Sequence, residues 1–254
     1  MSRWKASLTH LSISAFIATA VLALMLLVWY PYPLFEAVGG RQVLLILLGV
    51  DVTLGPFVTL LIFNTKKSRR ALVFDLSVIA AVQLSALIYG MSVVFQSRPV
   101  YIVFSKNSFD LVTANMLNKK DIANAGNPTY RSLPLTGPVF VYSEIPTDVR
   151  ERNEVTLSAF MGKDLAQFPQ YYRPYADHKT AAASVARPVA ALRKRNPDQN
   201  PEIDAAIHDS GLPEADLGYL PLRAKYQDQA VLVRKSDGTI VQVLPINPWD
   251  AAGK

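Results

Sequence analysis

The sequence predicts a membrane α-helical protein, with three transmembrane helices followed by an α+β domain whose sheet is mainly antiparallel. Two observations predict this fold class. Residues 1–96 contain three long apolar runs, whereas residues 97–254 have the mixed polar and apolar composition of a water-soluble domain. Each run holds about 20 residues or more, which is enough for a helix to cross roughly 30 Å of hydrocarbon. We therefore expect spans at about residues 11–30, 43–63 and 71–95.

The first run is preceded by basic residues, as a secretory signal is, but two features favour a retained span. Its apolar stretch is longer than a typical signal core, and it ends at Trp29-Tyr30-Pro31 rather than at small residues suited to cleavage. Tryptophan and tyrosine are typical of membrane–water interfaces, where their rings anchor the ends of a span. We therefore expect the first run to stay in the mature protein.

Basic residues set the predicted orientation. Arg3 and Lys5 precede the first run, and four more basic residues fill the turn at residues 66–70. The positive-inside rule places both segments in the cytoplasm, so three crossings carry residues 97–254 to the periplasm of a bacterial cell. The predicted location is the bacterial inner membrane, with several passes through the lipid bilayer. Most of the formal net charge of +6 comes from residues 1–96, and we therefore expect no nucleic-acid partner.

The periplasmic domain is predicted from apolar runs bounded by turn residues. Six strands are expected, at residues 99–104, 109–113, 137–142, 222–226, 230–234 and 239–244. Helices are expected at residues 148–161, at residues 179–195 with a break at Pro188, and from Asn200 to a stop at Gly211. Strands, then helices, then strands predict a single sheet with helices on one face. The chain has no cysteine, so no disulfide contributes to this domain.

An enzymatic function finds little support in the residues. The chain has no cysteine and three histidines, and the two that neighbour an aspartate, His178 and His208, fit solvated or capping roles better than catalytic ones. No nucleophile elbow, phosphate-binding glycine loop or paired-histidine zinc motif is present. The acids of residues 198–204 lack the glycine and the bidentate glutamate of a calcium loop. We expect no catalytic site, no metal and no cofactor.

The most informative residue of the membrane region is Asp51, an acid inside the second apolar run. An ionised and unpaired carboxylate there would cost on the order of 3 kcal/mol or more, so an intramembrane acid has a role. Three roles stay open: an internal polar clasp between helices, a site for a partner, and a proton or ion relay. Gln83 and Tyr89 of the third run are expected at a similar depth, where either could donate to the carboxylate.

A second candidate is the aromatic segment at residues 171–175. It contains Tyr171, Tyr172, Arg173 and Tyr175. Tyrosine and arginine are typical anchors of protein interfaces, so this segment could contact a partner. Tyrosines also commonly cover the edge of a hydrophobic core, and that interpretation is favoured here.

Several segments resemble the TfpX/TfpZ family of type IV pilin accessory proteins. The resemblance is carried by the start MSRWKASLTHLSIS, by LGVDVTLGP in the second run, by FDLSVIAAVQLSALIYG in the third, and by RPVYIVFSKNSFDLV after it. It is strong to about residue 115 and looser beyond. The resemblance implies an inner-membrane protein that is specific for one major pilin and promotes the stability or assembly of that pilin, without catalysis or cofactor.

The resemblance implies a chaperone-like function whose partner is a cognate type IV major pilin, with inner-membrane pilus assembly proteins as further candidate partners. We expect the helix of the pilin to dock on a surface made of Gly49, Asp51, Thr53, Gly55, Pro56, Gln83 and Tyr89. The head of the pilin would contact Tyr171, Tyr172, Arg173 and Tyr175. The alternatives are a regulator of pilus extension and retraction acting on the assembly machinery, and a membrane-anchored sensor or ligand-binding domain.

Overall fold

The computed structural model describes residues 2–63 and 67–249, and it describes the backbone alone at Val43, Ile46, Leu47, Leu48, Val50 and Asp51. The chain forms two compact units. The helical unit comprises Met1–Pro31 and Gly40–Ser97. The α/β unit comprises Tyr32–Gly39 and Arg98–Lys254, so it includes a short segment that lies between the first two apolar runs.

The elements have the following bounds. The α-helices are α1 Arg3–Leu24, α2 Leu34–Ala37, α3 Gly40–Leu48, α4 Gly55–Ile62, α5 Arg69–Gln96, α6 Lys119–Ala123, α7 Val149–Phe160, α8 Tyr175–Val185, α9 Val189–Arg195 and α10 Asn200–Ser210. The strands are β1 Pro99–Ser105, β2 Ser108–Thr113, β3 Val139–Ser143, β4 Tyr172–Pro174, β5 Arg187–Pro188, β6 Leu217–Arg223, β7 Gln229–Arg234 and β8 Ile240–Leu244. Two π-helical stretches extend the first helices, at Met25–Trp29 and Gly49–Leu54.

In the part of the chain that the structure describes, two helices are long and apolar enough to cross a membrane. They are Arg3–Trp29, with 27 residues, and Arg69–Ser97, with 29 residues. The expectation of three transmembrane helices is therefore wrong. The second apolar run is divided by the π-helical stretch Gly49–Leu54, which leaves shorter helices on each side of it. Pro56 lacks the N–H that would close an α-helical hydrogen bond to the residue four positions earlier, which favours this interruption.

Within the helical unit, α1 and α5 run in the same direction. The Tyr30 hydroxyl at the end of the first helix donates to the Val94 carbonyl near the end of α5, at 2.5 Å. Beside this bond, the rings of Trp29 and Phe95 pack edge to face, with centroids 5.2 Å apart. The aromatic pair predicted to anchor the first run thus joins the C-terminal ends of these two helices.

The described strands form one eight-stranded sheet in the order β4-β3-β1-β2-β6-β7-β8, with β5 paired to β6. β1 pairs in parallel with β3, and β2 pairs in parallel with β6, whereas the other pairings are antiparallel. The sheet is mixed, so the prediction of a mainly antiparallel sheet is wrong. Both parallel pairs join strands that are far apart in sequence, as parallel pairing requires a crossover connection.

Both faces of the sheet are buried, contrary to the expectation of helices on one face. One face packs against α8 and against Leu34 and Ala37 of the segment Tyr32–Gly39. The other face packs against α9 and α10 beside β6 and β7, and against a tyrosine-rich cluster beside β1. Every residue of β1 is buried, which is the pattern of a strand covered on both faces.

Candidate functional site

Three residues of the predicted docking surface come together inside the helical unit. Gly55 and Pro56 are buried at the start of α4. A Cβ atom added at Gly55 would overlap the side-chain amide of Gln83 on α5, so glycine is what allows the two helices to approach at this point. The surface of α4 at Gly55 is therefore covered by the Gln83 side chain of the same protein.

Two hydrogen bonds join the other side of α4 to α1. The Ser7 hydroxyl donates to the carbonyl of Pro56 at 2.9 Å. The Nδ1 atom of His10 lies 2.6 Å from the hydroxyl of Thr59, which is buried. These residues form an internal polar clasp of the kind considered for Asp51, and the sequence analysis did not select its three side chains, those of Ser7, His10 and Thr59. The one signal that could have found them is that Ser7 and His10 lie three positions apart, on one face of a helix.

The remaining residues of the predicted surface are dispersed. Gly49 and Thr53 are exposed on the π-helical stretch, and the Tyr89 side chain on α5 is 73% exposed. The side chain of Asp51 lies outside the described part of the chain, although its backbone belongs to the same π-helical stretch. Such stretches are frequent at functional sites. The structure thus brings together Gly55, Pro56 and Gln83, and it does not bring Tyr89 to them.

The aromatic segment at residues 171–175 belongs mostly to the core. Tyr172 is fully buried in the edge strand β4, where its ring packs edge to face with Tyr101 and Tyr130. Its hydroxyl donates to the Ala166 carbonyl, and burial raises its pKa well above 10. Tyr175 is also buried, and its hydroxyl donates to the Gly238 carbonyl at 2.7 Å. Neither ring is exposed for contact with a partner.

The other two residues of the aromatic segment lie nearer the surface. Arg173 pairs with Glu144 at 2.9 Å, and the Tyr171 hydroxyl lies 3.3 Å from a carboxylate oxygen of Glu151. A segment that alternates between buried and accessible residues is what a short edge strand produces, because successive side chains point to opposite faces. The accessible part of the predicted head contact therefore reduces to Tyr171 and Arg173.

One group of charges in the α/β unit is centred on Arg223. Its guanidinium pairs with Asp110 at 2.7 Å and with Asp164 at 3.3 Å. Burial raises the pKa of the Asp110 carboxyl, and the hydrogen bond from Arg223 opposes that rise. The pairing of β2 with β6 places Asp110 opposite Arg223, so this cluster ties two strands together.

The two histidines of the α/β unit contact an aromatic ring and a carboxylate. His178 stacks on the ring of Tyr142, with centroids 4.4 Å apart, and the His208 side chain is exposed beside Asp209. Among the described residues, no group of three histidine, aspartate or glutamate side chains could hold a metal ion. The acid Asp204 of the segment considered for calcium pairs instead with Arg193 at 2.5 Å.

Comparisons with known proteins point to fimbrial assembly. The profile of a family described as Fimbrial assembly protein FimB matches residues 1–39. The chain is 27% identical to the fimbrial assembly protein of serogroup E1 of Dichelobacter nodosus, over 97% of this chain and 96% of that protein. It is 35% identical to the protein of serogroups C1 and C2 of the same organism, over 46% of this chain and 86% of that protein. No solved structure matches the chain.

These matches support the sequence resemblance at the level of fimbrial assembly, and they do not confirm the TfpX/TfpZ name. The protein of serogroup I of Dichelobacter nodosus is similar over the same 97% of this chain, with 26% identity. The similarity to two of the relatives therefore extends through both compact units, from the helices to the strands that end the sheet.

Proposed function

This chain belongs to the family of fimbrial assembly proteins FimB, and we propose that it is a membrane-anchored accessory protein that binds a type IV major pilin and promotes its assembly. The observation that carries the proposal is the similarity to a fimbrial assembly protein over 97% of this chain. The family supports a role in pilus assembly, and the resemblance to type IV pilin accessory proteins supplies the pilin as partner. The proposed action is to hold the free pilin and so to stabilise it by mass action.

The proposed location is the inner membrane, with α1 and α5 as its anchors. Both helices begin with basic residues, Arg3 and Lys5 in α1 and Arg69 and Arg70 in α5. The positive-inside rule would place both starts in the cytoplasm, which agrees with the parallel direction of the two helices. The interrupted run from α3 to α4 would then return the chain to the cytoplasm between them. The segments that follow them, Tyr32–Gly39 and the chain from Arg98, belong to the same compact unit. That unit would then lie in the periplasm, where it could contact the globular part of a pilin.

Two parts of the molecule would take part in holding the pilin. The helical unit would accept the apolar helix by which an unassembled pilin is held in the membrane. Of the predicted docking residues, Gly49 and Thr53 remain accessible on the π-helical stretch that also contains Asp51. The α/β unit would contact the pilin head through Tyr171 and Arg173, the accessible residues of the aromatic segment.

The test is capture of pilin by the tagged full chain from detergent-solubilised membranes. The extract is probed for the major pilin encoded beside this protein and, as the matched control, for a major pilin of another type. We expect selective capture of the first pilin. Equal capture of both pilins would contradict specificity, and recovery of assembly machinery without pilin would favour a regulator of extension and retraction instead.

A further inference from the structure

A half-open cavity of about 180 Å³ lies within the helical unit, between α1 and α5. We call it the α1–α5 notch, and it is lined by His10, Ile13, Ser14, Ile17, Ala18, Ala80, Gln83, Leu84 and Leu87. The two helices meet at their C-terminal ends, at Tyr30 and Val94, and the notch lies between them around the middle of each helix. Its walls are mostly aliphatic, and His10 and Gln83, which contact α4, form part of its lining.

Ser14 distinguishes this notch from an ordinary packing gap. The residue is 7% exposed and lines the notch, yet its hydroxyl makes no hydrogen bond to any residue that the structure describes. The other hydroxyl groups of α1 are all satisfied: Thr9, Ser12 and Thr19 donate to carbonyls one turn earlier, and Ser7 donates to Pro56. Polar groups of buried residues are normally paired, and the Ser14 hydroxyl, which stays accessible to the notch, is therefore available to donate to a group placed there.

The shape of the notch suits the surface of a helix. Ser14 and Ala18 are small residues four positions apart on α1, and Ala80 faces the same space from α5. Small residues at this spacing allow the backbones of membrane helices to approach closely. The volume exceeds the roughly 150 Å³ of an apolar cavity that accepts benzene, so a large aliphatic or aromatic side chain fits. Ile13, Ile17 and Leu87 would contact the flanking side chains of that helix.

We propose that the α1–α5 notch is the docking site for one membrane-spanning helix of a partner protein. This inference rests on the proposed function, under which the partner helix is the apolar helix of the pilin. The hydroxyl of Ser14 donates to an oxygen on the incoming helix, a bond that a lipid acyl chain has no atom to accept. The pilin helix thus lies against α1 and α5. Gln83 stands between this helix and α4, because its side chain lines the notch and also contacts Gly55.

Two neighbouring alanines of α5 provide a matched test. Ala80 lines the notch and Ala81 is exposed without lining it, so Ala80→Leu fills the notch whereas Ala81→Leu adds the same side chain elsewhere. We expect Ala80→Leu to lower pilin recovery from the full chain by about tenfold, and Ala81→Leu to leave it unchanged. Ser14→Ala should lower recovery about threefold, the factor that corresponds to one interhelical hydrogen bond in a membrane. Equal recovery with Ala80→Leu and with the unaltered chain overturns the notch and leaves the proposed function intact.

A crosslinking experiment identifies the occupant directly. A photoreactive phenylalanine is placed at Leu84, which lines the notch, or at Val82, which is exposed and does not. We expect position 84 to crosslink the helix of the pilin, and position 82 to do so much less. If position 84 crosslinks only to lipid or only to a second copy of the chain, and not to pilin, the proposal is overturned. If the unaltered chain captures no pilin, the proposed function fails and the inference fails with it.

Discussion

Gln229 on β7 donates a hydrogen bond from Nε2 to the carbonyl oxygen of Pro33, at 2.9 Å, across 196 residues of sequence. Both groups are buried. A second bond ties the same segment to the sheet unit, from the backbone N–H of Tyr226 to the carbonyl of Ala37 at 3.1 Å. The segment Tyr32–Gly39, which the sequence suggests is a loop between membrane helices, is thus an integral part of the α/β unit.

We expect Gln229→Ala to lower the free energy of unfolding of the α/β unit by about 1–3 kcal/mol, because the buried carbonyl of Pro33 loses its donor. Thermal unfolding of the purified protein measures the change. Gln242→Ala is the control, since this glutamine is exposed on the neighbouring strand β8, and its effect should stay within about 0.5 kcal/mol. Equal melting temperatures for the two variants would show that the hydrogen bond contributes nothing.

The apolar contacts of the same segment give a second prediction. Leu34 is 3% exposed and packs in the core with residues of β2, β6 and β7. We expect Leu34→Ala to destabilise the α/β unit by about 2–5 kcal/mol and to speed amide hydrogen exchange in β7. Tyr32→Ala, at an exposed position two residues earlier, should change neither quantity. Unchanged exchange in β7 of the Leu34 variant would mean that the segment is not part of the folded unit.

Gly238 in the turn between β7 and β8 has a φ of +77°, and a Cβ atom added there would overlap the carbonyl of Lys179 on α8. Gly238→Ala should therefore cost at least about 1–2 kcal/mol from the left-handed backbone, with the steric overlap in addition. Gly162→Ala is the matched control, because Gly162 has a φ of +85° and open space around it. If the two variants lose the same stability, the close approach of α8 to this turn is absent in solution.

The ion pair beside that turn predicts a dependence on pH. Lys179 Nζ lies 2.8 Å from Asp237, and this contact and the hydrogen bonds from Thr239 hold the pKa of Asp237 well below its usual value. Because the folded-state pKa is lowered, Asp237 stabilises the fold above about pH 4, and this contribution is lost as the pH falls further, toward the folded-state pKa. Asp237→Asn should thus melt lower than the unaltered protein at pH 7, and the difference should shrink below pH 4.

The control for the pH series is Asp198→Asn, at an exposed aspartate near the start of α10. Its melting temperature should follow that of the unaltered protein at every pH. A difference between Asp237→Asn and the unaltered protein that persists undiminished at pH 2 would contradict the electrostatic explanation, since it would then come from the neutral hydrogen bonds of the turn.

Variants of the adjacent residues Tyr171 and Tyr172 distinguish a structural role from a role in contact with pilin. Tyr172→Ala removes a fully buried ring and should cost about 3–5 kcal/mol, whereas Tyr171→Ala should leave the melting temperature nearly unchanged. If Tyr171 contacts the pilin head, its variant captures less pilin at equal stability. The contact hypothesis is wrong if Tyr171→Ala captures as much pilin as the unaltered chain.

Local features of the fold could be predicted from the sequence, because their causes lie within a few residues. The strands expected at residues 230–234 and 239–244 are present as β7 and β8, which pair across the turn at residues 236–238. Asp148, the first residue of an expected helix, caps α7 by accepting hydrogen bonds from the backbone of Arg150 and Glu151. The break at Pro188 is also present, between α8 and α9. Pro188 also belongs to the short strand β5, which pairs with β6. This pairing depends on Gly218, 30 residues away, so the sequence around the proline does not predict it.

The features that were missed depend on contacts between distant residues. β1 pairs in parallel with β3, and β2 pairs in parallel with β6, through long crossover connections. The alternation of apolar residues within a strand does not indicate which strand it pairs with or in which direction. In the helical unit, the structure places the Gln83 side chain at Gly55 and leaves the Tyr89 side chain exposed, and depth along the helices alone does not fix either direction. Nothing in the sequence of α1 indicates that Ser14, unlike its neighbours, lacks a partner.

The position of Tyr32–Gly39 in the α/β unit also sets an order of events during synthesis. At roughly 5–20 residues per second, the ribosome completes Gln229 about 10–40 s after Pro33. During that interval Leu34 and Ala37 have no β7 to pack against, so the nascent chain carries an apolar segment that is not yet buried. A chain terminated anywhere before β7 would never bury these two side chains against that strand, so the segment between the first two apolar runs reaches its final packing only when the last strands of the sheet are made.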